Sequence, residues 1–169
     1  MIISNFDKIF DKNDIVIYTQ GVFDLLHNGH INYLINSKKY GNKLIVGVDS
    51  DEKVQLRKGL DRPFQNWETR VQNLLNLNLI DYIFKKNINI DSSYYIDMIK
   101  PSKIIISTDH NPNVTRLKFL EKEKIELIVI KRTENISTTQ ILKAKRFKQE
   151  QKTSHLRGLS YELLLLRPL

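Results

Sequence analysis

Ile15-Val16-Ile17-Tyr18-Thr19, then Gly21, then His30 to Tyr40, then Leu44-Ile45-Val46-Gly47-Val48: this succession, about 35 residues long, decides the fold. The first run is short, β-branched and unbroken, the pattern of a strand buried on both faces. It ends at Gly21. The segment His30 to Tyr40 puts Ile31, Leu34 and Ile35 on one helical face, with Gly41 as a C-terminal stop. The second apolar run predicts another buried strand. Strand, helix and strand at this spacing form a βαβ unit, whose two strands lie parallel.

The alternation continues outward. Asp49 to Asn66 is polar and basic and reads as a loop with room for one helical turn. Trp67 to about Leu77 predicts a helix with Val71, Leu74 and Leu75 inward, and Tyr82-Ile83-Phe84 a brief strand. Ser92 to Ile99 predicts a helix with Ser92 as N-cap, Lys103 to Ile106 a strand, Val114 to Lys124 a helix, and Leu127 to Ile130 the fifth strand. Ser137 opens a last helix that runs into a basic tail. Nearly pure apolar strands alternating with helices predict an α/β, Rossmann-like, doubly wound five-stranded parallel sheet in a single domain. Residues 1–13 form an N-terminal lead, 14–143 the domain and 144–169 a basic helical tail. Leu163 to Leu166 could pack on the domain, pack across a dimer, or belong to a vector-derived extension. In such sheets ligands lie beyond the carboxyl ends of the strands, near the switch in strand order. That places a site at Gly21–His30, after Val48 and after Ile130.

Composition narrows the chemistry. The chain has 169 residues, 41% hydrophobic and 27% charged, and no cysteine, which excludes disulfides, thiolate zinc sites and cysteine nucleophiles and fits a cytoplasmic location. No run approaches ~18 apolar residues, so no membrane span is expected. Met1 to Lys12 lacks the parts of a secretory signal. Of the net charge of +8, +5 falls between Lys143 and Leu169, which hold seven Lys or Arg and two Glu. The domain itself is mildly basic and carries no basic, aromatic-laced face. A small phosphorylated ligand suits it better than a nucleic acid polymer.

The stretch Gly21-Val22-Phe23-Asp24-Leu25-Leu26-His27-Asn28-Gly29-His30 follows the first strand directly. Gly21 and Gly29 let backbone approach a bulky polyanion, and the helix that begins near His30 offers unpaired N–H groups and a positive dipole end. His27 and His30 add donors there, an arrangement suited to a triphosphate attacked at its α-phosphorus. Two histidines three apart also suit a zinc pair, but no third ligand cluster lies nearby. They could also be plain surface histidines, the usual reading of an isolated histidine but the minor one in this context. A dinucleotide site requires G-x-G-x-x-G after the first strand, which is absent. The stretch resembles the H-x-G-H signature, after a G-x-F-D turn, of the cytidylyltransferase-like nucleotidyltransferases.

A second segment, Lys131-Arg132-Thr133-Glu134-Asn135-Ile136-Ser137-Thr138-Thr139, follows the fifth strand. Ser137 or Thr138 caps the last helix, and Arg132 offers a planar charged fork. The segment resembles the family's R-T-x-G-I-S-T-T signature, with Asn135 where glycine is usual. Between them lie Arg57-Lys58-Gly59, Asp61-Arg62-Pro63 and Glu68-Thr69-Arg70, a basic loop able to close on phosphates or simply a solvated charge run. The resemblance implies that Lys58 meets substrate or triphosphate and that Arg70, with Arg57, serves the acceptor phosphate. After the fourth strand, Ser107-Thr108-Asp109-His110 replaces the family's glycine-acidic segment beside the nucleotide; Asp109 keeps the acidic position, unless it merely caps a helix.

The resemblance covers about residues 14–143. It implies transfer of a nucleoside monophosphate to a small phosphorylated alcohol or sugar with release of pyrophosphate and no covalent intermediate. His27, His30, Lys58 and Arg132 would be catalytic. Gly21, Val22, Phe23, Asp24, Gly29, Asp109, Thr133, Ile136, Ser137, Thr138 and Thr139 would bind nucleotide, and Arg57 and Arg70 the acceptor. Mg²⁺ would arrive on the triphosphate, with no protein metal site, and a homodimer is implied by the resemblance alone. Segment Arg132–Thr139 is most similar to the cytidylyltransferases acting on glycerol 3-phosphate, choline phosphate and ethanolamine phosphate, which favours CTP. Segment Arg57–Pro63 is more similar to heptose-1-phosphate adenylyltransferase, which favours ATP. An FMN adenylyltransferase and a non-catalytic nucleotide-binding module also fit these residues.

Overall fold

Apolar side chains alternate to the two faces of every strand, and each face must be covered. The computed structural model describes residues 1–4, 6, 10–110 and 112–131, all within one unit, 1–134. The elements run β1 (Val16–Gly21), α1 (Asn28–Lys38), β2 (Lys43–Asp49), α2 (Asp51–Lys58), α3 (Trp67–Leu75), β3 (Tyr82–Lys86), α4 (Ser92–Ile99), β4 (Lys103–Ser107), α5 (Val114–Lys122) and β5 (Glu126–Ile130). The sheet has the order β3-β2-β1-β4-β5 with every pair parallel. The Rossmann-like α/β expectation therefore holds, and the switch in strand order falls between β1 and β4. The last helix expected from Ser137 and the 144–169 tail lie outside the described residues.

Two cores form, one on each face. Ile17, Leu44, Val46, Val48, Ile83 and Ile105 pack with Leu34 of α1 and Trp67, Val71 and Leu74 of α3. Val16, Tyr18, Ile45, Phe84 and Ile104 pack with Tyr95, Ile96 and Ile99 of α4 and Leu120 of α5. Right-handed crossovers explain the division: the chain moves outward through β1, β2 and β3, then returns past β1 to β4 and β5, so the later helices take the opposite face. Full burial of side chains such as Leu34 and Leu44 contributes roughly 1.5–3 kcal/mol each.

All five described helices begin at a residue whose side chain accepts a backbone N–H: His27, Ser50, Asn66, Asp91 and Asn113. Asp91 takes the capping role expected of Ser92, which is the first helical residue instead. Helix α2 stands where a loop with one turn was expected. Its signals are electrostatic rather than periodic: the Ser50 cap, Asp51 and Glu52 in the first turn, Arg57 and Lys58 in the last. It buries only Val54, so an apolar stripe never appears in the sequence. At the other edge of the sheet, Ile2 bridges Ile83 in parallel, extending the hydrogen bonding beyond β3.

Gly41 works differently from a helix stop. The helix ends at Lys38, capped by Lys39 in right-handed geometry. A Cβ on Gly41 would meet the Ile15 carbonyl oxygen at 2.3 Å and Ile17 side-chain carbons at 2.8 Å. The backbone passes too close to β1 for any side chain. Gly41→Ala is expected to destabilise the fold by about 1–3 kcal/mol through backbone displacement. Urea unfolding checks this; an unchanged midpoint would mean that the contact relaxes freely.

Candidate active site

The N-terminus of α1 opens at the carboxyl edge of the sheet. Thr19 Oγ1 on β1 and Tyr33 OH on α1 lie 2.7 Å apart, and both reach the carbonyl of Ile105 on β4, at 3.1 and 3.0 Å. Helix and switch point are thereby pinned together. Burial raises the Tyr33 pKa to about 12, partly offset by its Thr19 contact. His27 caps α1 by accepting the Gly29 N–H at Nδ1, 3.1 Å away. That bond requires a lone pair on Nδ1, so the ring proton belongs on Nε2. His30 stacks on His27 with ring centroids 3.8 Å apart, and the buried Phe23 meets His30 edge-on at 5.5 Å. His27, Gly29, His30 and Phe23 are thus brought together as the sequence predicted, at the positive end of a helix dipole.

The loops around this pair are stapled by two buried charged groups. Asp24, 2% exposed, accepts from Phe64 N at 3.0 Å and Gln65 N at 3.1 Å, and pairs with Arg62 at 3.2 Å. Its carboxylate holds the segment before α3 against the β1–α1 loop. Arg70 is fully buried. It donates to the Gln65, Val22 and Asp49 carbonyls at 3.0, 2.5 and 2.8 Å and to Asp51 Oδ1 at 2.7 Å. Arg70 was expected to orient the acceptor phosphate. The structure gives it another place: an enclosed guanidinium engaged by three carbonyls and a carboxylate presents no face to a ligand. Asp51 also accepts the Trp67 N–H at 3.1 Å, joining the starts of α2 and α3.

The basic groups gather nearby. Arg57 donates to Asp49 Oδ2 at 3.0 Å and keeps half its side chain exposed. The Arg62 guanidinium lies 4.4 Å over the Phe64 ring. Burial first, then repulsion from Arg62 and Arg57, lowers the Lys58 pKa. Three cations thus lie close enough to repel one another, and Asp24 and Asp49 offset part of that repulsion.

No sequence motif marks the next cluster. Lys86, at the end of β3, is 2% exposed; burial pushes its pKa down to about 8 against the pull of Asp49. Its Nζ donates to Gln20 Oε1 at 2.6 Å and Ser92 Oγ at 3.1 Å, and lies 3.6 Å from Asp49 Oδ1. The hint in the sequence is a lysine that ends an apolar strand.

The remaining predicted residues divide. Gly21 and Val22 end β1 and begin the loop. Asp109 is exposed on the turn after β4, where His110 N bonds the Ser107 carbonyl, and the cap of α5 is Asn113 rather than Asp109. Arg132, Thr133, Ile136, Ser137, Thr138 and Thr139 lie outside the described residues. Among the described residues no group of three His, Cys, Asp or Glu is arranged to hold a metal, and no helix is long and apolar enough to cross a membrane.

The parallel sheet thus carries paired imidazoles at the N-terminus of its first helix, beside the strand-order switch. Residues 18–144 match the family described as Cytidylyltransferase-like, and the chain belongs to it. It is 32% identical over 135 residues to the "Bifunctional protein HldE" of Blochmanniella floridana, covering 78% of this chain and 27% of that protein. It is 29% identical over 143 residues to the protein of the same name from Sodalis glossinidius (strain morsitans), covering 84% and 30%. The chain therefore spans less than a third of these relatives. Among solved structures, the lipopolysaccharide core biosynthesis protein from Thermoplasma volcanium GSS1 matches at 27% identity and TM-score 0.59, over 73% of this chain and 99% of that one. The pantoate-beta-alanine ligase from Francisella tularensis shares the fold at 16% identity and TM-score 0.60, over 86% and 77%.

Replacing Arg70 by Lys, which cannot reach all four acceptors, is expected to loosen the three loops together. Hydrogen exchange should quicken at the amides of Leu25, Phe64, Gln65 and Trp67 while the β1 and β2 amides stay protected. Unchanged exchange at those four would contradict the stapling role.

Proposed function

We propose that this chain transfers AMP from ATP to a sugar 1-phosphate of the heptose class, releasing pyrophosphate. The observation that carries the transfer is the stacked His27–His30 pair at the start of α1, where the Gly29 N–H bond to His27 Nδ1 puts the ring proton on Nε2. The choice of ATP and heptose 1-phosphate rests on the Arg57–Pro63 resemblance and on the relatives named HldE. The lipopolysaccharide core protein of similar fold supports a sugar acceptor, since such polymers are built from activated sugars. The CTP reading rests on residues 132–139 alone, and these relatives favour adenylyl transfer.

In the proposed reaction an acceptor phosphate oxygen attacks the α-phosphorus of ATP. A new P–O bond forms, the bond to the α–β bridging oxygen breaks, and pyrophosphate leaves with the electron pair. The acceptor is already anionic, so no covalent intermediate on the protein is needed. Catalysis is positioning plus charge stabilisation. His27 and His30 donate to phosphate oxygens as charge accumulates there, and Arg57, Lys58 and Arg62 oppose the charge of the two anions. The described residues offer no ligand set for the Mg²⁺ expected with a triphosphate, which would arrive on the nucleotide and would neutralise phosphate charge there.

Pyrophosphate release measured with ATP, CTP, GTP and UTP, each against heptose 1-phosphate, glycerol 3-phosphate and FMN, should be fastest for ATP with heptose 1-phosphate. A preference for CTP with glycerol 3-phosphate would replace this reading. Nucleotide binding without turnover of any pair would make the chain a binding module. His27→Asn separates structure from chemistry, because Asn is among the best N-caps but lacks the Nε2 donor. Its thermal midpoint should change little while turnover falls about 100-fold or more. Retained turnover would remove His27 from the mechanism.

A further inference from the structure

Lys86 reaches Gln20 across an intervening strand. Gln20 on β1 pairs in register with Gly47 on β2, and Gly47 pairs with Phe84 on β3. A Cβ on Gly47 would lie 2.8 Å from Lys86 Cδ and 2.9 Å from Phe84 Cζ. The missing side chain leaves a trough, and the lysine stem runs through it. At its end the ammonium, Tyr18 OH and Ser92 Oγ all donate to Gln20 Oε1, at 2.6, 2.8 and 3.4 Å. An ammonium cannot accept a hydrogen bond, so the carboxamide oxygen must face inward and the nitrogen outward. That nitrogen bonds none of the described residues. Gln20 is half-buried, directly before Gly21 and the His27 loop.

The strand order says what lies there. The loops expected to hold nucleotide follow β1, β4 and β5, which occupy one side of the carboxyl edge. The ends of β2 and β3 form the other side, and Asp49, Lys86 and Arg57 line it. Asp49 bridges the two cations, with one oxygen 3.6 Å from Lys86 Nζ and the other 3.0 Å from Arg57 Nη2. Arg116 and Lys53 add positive field at Lys86, so an anionic acceptor is favoured over a neutral one.

We propose that Gln20, locked by Lys86 across the Gly47 trough, is a specificity-determining residue whose carboxamide nitrogen donates to a hydroxyl or phosphate oxygen of the phosphorylated sugar acceptor. Lys86 is then a positioning residue. It sets which end of the carboxamide meets the acceptor without touching the acceptor itself. The inference rests on the transferase reading above and names a contact within it.

Gln20→Glu tests it. The glutamate keeps the inward oxygen for Lys86, Tyr18 and Ser92, so the thermal midpoint should hold or rise. Its outward atom becomes a charged acceptor that repels a phosphorylated sugar. With ATP and heptose 1-phosphate, the KM for the sugar phosphate should rise about tenfold or more, the worth of one such hydrogen bond. The KM for ATP should stay within about twofold. Lys86→Met, which frees the carboxamide to rotate, should shift the sugar-phosphate KM in the same direction and spare that for ATP. If wild type turns over heptose 1-phosphate but neither variant alters its KM, or both alter only the ATP KM, this inference is overturned and the transferase reading stands. If wild type turns over no acceptor, the transferase reading falls and takes this inference with it.

Discussion

A single buried guanidinium holds the carboxyl edge of the sheet together. Arg70 sits at 0% exposure, and its four hydrogen bonds reach the loop after β1, the last residue of β2, the segment before α3 and the first residue of α2. A charge taken out of water is tolerated only when fully coordinated, and here backbone carbonyls do most of that work. The planar fork makes the demand geometric as well as electrostatic, since three loops must present oxygens in fixed directions at once. In a parallel sheet these loops emerge at the same edge. One residue of α3 can therefore set the relative positions of the paired imidazoles and the basic groups.

His27 likewise serves two ends with one side chain. Its Nδ1 closes the first turn of α1, and that cap also determines the tautomer of the ring. Asp24 plays a comparable part. Within its G-x-F-D context it reads as a ligand for nucleotide, yet both carboxylate oxygens accept backbone N–H groups from residues 40 and 41 positions away. Carboxylates hold the loops here, and Arg62 and Arg57 pair with two of them.

The strands and most helices were legible because burial on both faces writes itself as unbroken apolar runs. Their order could be read only as far as parallel pairing; the β3-β2-β1-β4-β5 arrangement follows from packing. Helix α2 escaped because it buries a single valine and is held by its cap and charges. The histidines were legible because their spacing on a loop and first helical turn is local. Arg70 was misplaced for the opposite reason: its partners lie 48 residues back at Val22 and 19 back at Asp51, and nothing in a linear pattern says that a basic residue will face inward. The Gln20–Lys86 contact spans 66 residues and depends on a glycine in a third strand.

Trp67 is the chain's single tryptophan, and it lies in the core at the start of α3. Its indole N–H bonds the Val48 carbonyl at 3.2 Å, its backbone N–H bonds Asp51, and Lys85 Nζ lies 5.0 Å from its ring centroid. The indole therefore senses both the end of β2 and the start of α3, the two places where the loops are fastened. Its fluorescence is a built-in optical gauge of that fastening, readable in the intact protein without a label.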